Sequence, residues 1–161
     1  LRDLIFQFWE HPVMKQMIET MGKYKKHVIG VEAVAKEMIS AYGIIKPEKI
    51  ADRVYKITDM AEKPPVKAAF SNLGIVGRYI LPPSIFGYIE KTKPGKNGEI
   101  QLTDALRMVM ENEGLIAHEF EGDRCDTGDK YGYLLAIIKY AAAQPGIKNR
   151  LRKDIKKVFK F

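Results

Sequence analysis

One cysteine, Cys125, stands in a chain of 161 residues. A single thiol excludes an internal disulfide framework and a CxxC pair. No histidine is near it in sequence to serve as a base, which argues against a nucleophile. Histidine is also scarce: His11, His27 and His118 have no partner at metal-ligand spacing and are expected to be structural or exposed. No apolar run approaches the ~20 residues of a membrane span. The start "LRDLIFQFWEHP" lacks the zones of a signal peptide, so the expected location is the cytoplasm and no membrane partner is expected. The glycine-rich turn after a first strand, on which open α/β sheets hold phosphates, is missing too. "TKPGKNGEI" comes nearest, but it lies between two helical segments and reads as a surface turn.

A basic face spread over the domain is likewise lacking. The net charge is +7, yet from Lys148 onward "KNRLRKDIKKVFKF" holds seven basic residues and one acid. The rest of the chain is almost neutral, which argues against a nucleic-acid binder. Within this tail Leu151, Ile155, Val158 and Phe159 recur at helical spacing, predicting an amphipathic helix. The chain opens at Leu1 rather than methionine, and the expectation is the second part of something longer.

What is present is alternation of strand and helix patterns in a chain that is 46% hydrophobic. Pro12 opens a helix whose apolar stripe runs to Met21 and stops at Gly22. "HVIGVEAV", "AYGIIKP", "RVYKITDMAE", "NLGIVGRYIL" and "IAHEF" read as strands. "AKEMIS", "PPSIFGYIEKT", "LTDALRMVMENEG" and "DKYGYLLAIIKYAAA" read as helices. The third helix is expected to start with Thr103 or Asp104 as cap and to end at Gly114. In the last, Leu134, Ile137, Ile138 and Ala141 are expected to point inward. The pattern predicts an α/β sandwich on a largely parallel or mixed sheet. Residues 143–149, "AQPGIKN", read as a linker, giving a domain at 1–142 and a linker with a basic helix at 143–161.

The acidic stretch "GDRCDTGDKYGYL" raises the question of a metal site. Its aspartates are three apart and no glutamate closes the loop, so a calcium loop fails. Asp129 precedes a helix and reads as its cap, and Asp123 follows Gly122 and reads as turn chemistry. Local spacing does not choose among the three.

"AYGII" at 41–45, "EKP" at 62–64, "SNLGIVGRY" at 71–79, "GEIQLTDAL" at 98–106 and "FEGDRCDTGDKYGYL" at 120–134 occur in an order and spacing that resemble bacterial UTP:glucose-1-phosphate uridylyltransferase. The resemblance runs from about Leu1 to Ala142. It implies a Rossmann-like nucleotidyltransferase sandwich, with a mixed, mostly parallel sheet and flanking helices, incomplete at its N-terminus. It implies formation of UDP-glucose and pyrophosphate from UTP and glucose 1-phosphate, with Mg2+ on the phosphates and no covalent enzyme intermediate.

By the same resemblance, Glu62 accepts hydrogen bonds from sugar hydroxyls and Gly43 leaves room for the ring. Lys63 meets the phosphate as the catalytic cation. Asn72, Gly74 and Ile75 line the sugar pocket, and Asp3 and Asp126 are the two magnesium ligands. A homo-oligomer is implied as well. The pattern departs from the family at Arg2 and Leu4, beside the metal aspartate, and in the absent phosphate loop. Read without the family, Glu62 and Lys63 are an exposed charged pair at a strand end, and Gly43 and Gly77 are bulge or turn glycines. Two functions follow: the sugar-binding part of a uridylyltransferase, inactive alone, or a non-catalytic relative that binds sugar phosphates or serves assembly.

Overall fold

Alternating apolar side chains bounded by turn residues become strands here, and in the larger part of the chain their buried positions build a core. The computed structural model describes residues 3–6, 11–95, 98–128 and 130–159. In chain order the elements are β1 (Asp3–Phe6), α1 (Val13–Tyr24), β2 (His27–Ala33), a 3-10 segment (Lys36–Ala41), β3 (Gly43–Ala51), β4 (Val54–Glu62), a second 3-10 turn (Val66–Ala68), β5 (Leu73–Ile80), α2 (Ile85–Lys91), α3 (Leu102–Asn112), β6 (Leu115–Glu119), β7 (Asp123–Asp126), α4 (Lys130–Ala143) and α5 (Pro145–Phe159). They fall into two compact units. Pro12–Glu121 is one, and the two ends of the chain, carrying β1, β7, α4 and α5, make the other. Among the described residues no helix is long and apolar enough to cross a membrane.

In the larger unit five strands close on themselves in the order β2-β5-β3-β4-β6. Ile29, Val31, Ile45, Ile57, Met60 and Ala117 from these strands bury against Ala105, Leu106 and Val109 of α3. Burial of this apolar surface is the main term holding the unit together.

The sheet is mixed, as expected, but it is not mostly parallel: among the described residues of the larger unit only β2 and β6 pair in parallel, while β2–β5, β3–β4, β3–β5 and β4–β6 are antiparallel. The reason is local: β3 and β4 are joined across Asp52 and Arg53, and so short a connection permits only an antiparallel pair. Arg53 takes the left-handed conformation, φ 54°, that such a turn needs, without the glycine or asparagine that would have signalled it.

Other expectations shift by a turn or a face. The first helix runs through Gly22 to Tyr24, and it is Lys25, at φ 52° with its N–H donating to the Met21 carbonyl, that ends it. β3 continues past Pro47, where the register of the β3–β4 pair slips and absorbs the missing N–H. Pro145 and its followers, expected as a linker, form the first turn of α5, where proline's fixed φ suits a helix start. Along α4 the buried residue is Ala136, whereas Leu134, Ile137 and Ile138 are exposed. α4 is apolar on nearly every side, so periodicity could not select the inward face. The expected cap at Asp129 lies outside the described residues, as does the departure at Arg2.

Two glycine expectations are met. Gly114 ends α3 at φ 78°, with its N–H on the Val109 carbonyl. Gly77 sits at φ 72° where β5 bulges against β2, between the paired residues Ile75 and Tyr79. Within "TKPGKNGEI", Gly98 N–H donates to the Gly95 carbonyl at 2.9 Å.

Candidate functional site

The β3–β4 pair places Gly43 and Glu62 opposite each other, the first residue of one strand against the last of the other. Both were expected at a sugar site, 19 positions apart in the chain, and the antiparallel register unites them. They open on a cavity of about 220 Å³ lined also by Tyr42, Ile75, Tyr79 and Thr103. Half-buried Glu62 is held at both oxygens: Thr103 Oγ1 donates to Oε2 at 2.6 Å, and Lys63 Nζ stands 3.7 Å from Oε1. The exposed ion pair expected at the strand end therefore exists, but its acid is also bonded inward to a buried hydroxyl.

Lys63 has an unusual backbone for a residue preceding proline. Its φ is 44°, whereas a following proline pushes its neighbour toward extended conformations. The conformation is held by Lys63 N–H donating to the Tyr42 carbonyl at 3.0 Å. Strained backbone of this kind concentrates at functional positions. The Tyr79 hydroxyl, in the same cavity, has its pKa pushed up by burial and then by the Glu62 charge.

Ile75 lines the cavity. Gly74 serves a neighbouring need: a Cβ there would lie 3.0 Å from Val34 Cγ1 and 3.3 Å from Tyr42 Cβ, so its smallness lets Tyr42 pack against the strand. The Asn72 carbonyl accepts from Val34 N–H at 2.9 Å, tying the start of β5 to the end of β2. Lys63, Asn72 and Gly74 are not among the residues lining this cavity.

The remaining expected residues lie in the other unit. Asp3 and Asp126 are Cα partners across β1 and β7, so two residues at opposite ends of the sequence share one register position. Asp126 is exposed and its Oδ1 accepts from Gly128 N–H at 2.7 Å, an Asx turn that fixes its side chain. Elsewhere on β7, Cys125 is buried, and Asp123 is engaged by Lys139 Nζ at 2.6 Å. Among the described residues no group of three or more histidine, cysteine, aspartate or glutamate side chains is placed to hold a metal ion.

Thr103, which lines the cavity, was not among the expected site residues. It and Asp104 were expected to cap α3, but the cap position is Gln101 and no side chain caps it. The Thr103 hydroxyl turns to Glu62 instead, and Asp104 lies in the first turn, where its charge favours the helix dipole. The available signal was its place in "GEIQLTDAL", one of the blocks that carried the family resemblance.

A UTP--glucose-1-phosphate uridylyltransferase of Staphylococcus haemolyticus is 41% identical over 149 residues, 92% of this chain and 52% of that protein. The enzyme of the same description from Bacillus subtilis is 38% identical over 142 residues, 88% of this chain and 49% of its own length. Among solved structures, a UDP-glucose pyrophosphorylase complexed with UDP-glucose superposes with a TM-score of 0.82 at 44% identity, over 89% of this chain and 54% of that one. The chain thus spans about half the length of the curated relatives it matches. The family described as nucleotidyl transferase matches residues 3–143, most of the sequence. The chain belongs to the nucleotidyl transferase family.

Proposed function

We propose that this chain is the sugar-phosphate-binding part of a UTP:glucose-1-phosphate uridylyltransferase, which makes UDP-glucose and pyrophosphate in the complete protein. The observation that carries the reading is the pairing of Gly43 with Glu62 on a 220 Å³ cavity, with Lys63 Nζ 3.7 Å from the Glu62 carboxylate, in a chain about 40% identical to enzymes of that description. A phosphate oxygen of glucose 1-phosphate bonds to the α-phosphorus of UTP while the bond to pyrophosphate breaks. Glu62 keeps acceptor capacity for sugar hydroxyls beyond its bond to Thr103. Lys63, exposed and paired with Glu62, supplies a compact cation for the phosphate.

Asp3 and Asp126 suit Mg2+ as a donor pair. A magnesium ion with two protein ligands keeps its other octahedral positions for waters and phosphate oxygens. When bound, the ion neutralises phosphate charge. The Rossmann-like part of the fold, with its parallel strands and phosphate loop, belongs to the complete protein in this reading. Its location is the cytoplasm, and it forms a homo-oligomer through the exposed apolar face of α4 and the amphipathic α5.

The test is the full-length product of the gene that carries this chain, assayed for pyrophosphate release from UTP. Release that needs glucose 1-phosphate, and falls about a hundredfold or more in Lys63→Ala, is the expected result. No release, or turnover unchanged by that substitution, contradicts the reading.

A further inference from the structure

The end of β4 is gripped by one face of α3. Arg107 donates to Asp59 Oδ1 and to the Met60 carbonyl. Thr103, one turn earlier on the same face, donates to Glu62 Oε2 at 2.6 Å. Thr103 is only 7% exposed, and a short hydroxyl-to-carboxylate bond in such surroundings belongs to the stronger class of hydrogen bonds. The strand's last carboxylate is thereby given one orientation by a helix.

Gly43 is part of the same arrangement. A Cβ on it would come 3.1 Å from Glu62 Oε2, 3.3 Å from Ile75 Cδ1 and 3.4 Å from Thr103 Oγ1. The space this glycine leaves is therefore taken first by the bonded Thr103–Glu62 pair, and only beyond that by a ligand.

We propose that Gly43, Thr103 and Glu62 work as one unit, with Thr103 as a positioning residue that ties down Oε2 so that the remaining lone pairs of Glu62 meet the hydroxyls of a neutral sugar ring. A carboxylate already fixed loses less rotamer freedom when the sugar binds. The inference rests on the reading of this cavity as the sugar site and deepens it.

Steady-state kinetics on the full-length protein test it, comparing the parent with Thr103→Val, Thr103→Ser, Gly43→Ala and the Gly43→Ala/Thr103→Val double variant. Thr103→Val, which keeps shape and removes the donor, is expected to raise KM for glucose 1-phosphate about tenfold while KM for UTP stays within about twofold. Thr103→Ser restores most of the loss, and the double variant is no worse than the poorer single one, because both substitutions break the same pair. An unchanged KM in Thr103→Val overturns the inference, as do losses that multiply in the double variant or a serine that performs no better than valine. If valine prevents folding, the serine and Gly43→Ala variants carry the comparison. A parent without UTP-dependent turnover defeats the proposed function itself, whereas an active parent indifferent to Thr103→Val defeats this inference alone.

Discussion

Gly43 faces Glu62 across the β3–β4 pair, close enough that one added methyl would touch the carboxylate at 3.1 Å. Glu62→Gln preserves size but replaces an acceptor-only oxygen with a donor. We expect KM for glucose 1-phosphate to rise tenfold or more, by about the worth of one charge-assisted hydrogen bond, with the melting temperature nearly unchanged. Kinetics and thermal denaturation on the same preparation separate the two effects.

Arg107 joins α3 to β4 through Asp59 and the Met60 carbonyl. Arg107→Met removes both bonds and leaves Asp59 without this partner. The expected loss is about 1–2 kcal/mol of unfolding free energy, read from urea denaturation. A midpoint equal to the parent's would show that α3 is held by its apolar face alone.

Gly77 offers a test of backbone conformation free of packing. Its φ is 72°, and a Cβ added there meets nothing within 4 Å. Gly77→Ala should therefore cost only the left-handed penalty of about 1–2 kcal/mol, and Gly77→Asn less. Equal stability of glycine and alanine forms in chemical denaturation would show that the bulge relaxes.

His118 sits in a polar network inside the larger unit, with Nδ1 2.8 Å from Thr20 Oγ1 and Nε2 3.2 Å from Gln16 Oε1. Its pKa is lowered, first by burial and then by the Arg53 charge, which outweigh the Glu121, Glu119 and Glu19 carboxylates. Below the ordinary imidazole value near 6.5 the unfolded chain takes up a proton that the folded chain resists. Stability should thus fall as pH drops below that value and level off only beneath the folded pKa. The slope should be shallower in His118→Gln, and an identical slope would assign the acid sensitivity to other groups.

The strands of the larger unit were legible because their apolar alternation is bounded by punctuation: β4 ends before Pro64 and Pro65, and β5 begins just after Ser71 and Asn72. Their direction was not legible, since the Asp52–Arg53 turn is left-handed at an arginine, a residue that carries no turn signal. The pairing of Gly43 with Glu62 and of Asp3 with Asp126 is a matter of register, which a linear pattern does not contain; the family resemblance grouped these residues before any geometry did. Thr103 escaped for a different reason. A threonine at the start of a helix has a good local use as a cap, and only tertiary structure reveals that its hydroxyl is spent on a strand.

The most direct measurement is a titration of the isotope-labelled 161-residue chain with glucose 1-phosphate, followed through its backbone amide resonances. The account predicts saturable shifts concentrated at Tyr42, Gly43, Glu62, Ile75 and Thr103, which line the 220 Å³ cavity, and at Lys63 beside Glu62, and their loss in Glu62→Ala. Shifts centred on other residues, or the same shifts in the variant, would contradict it.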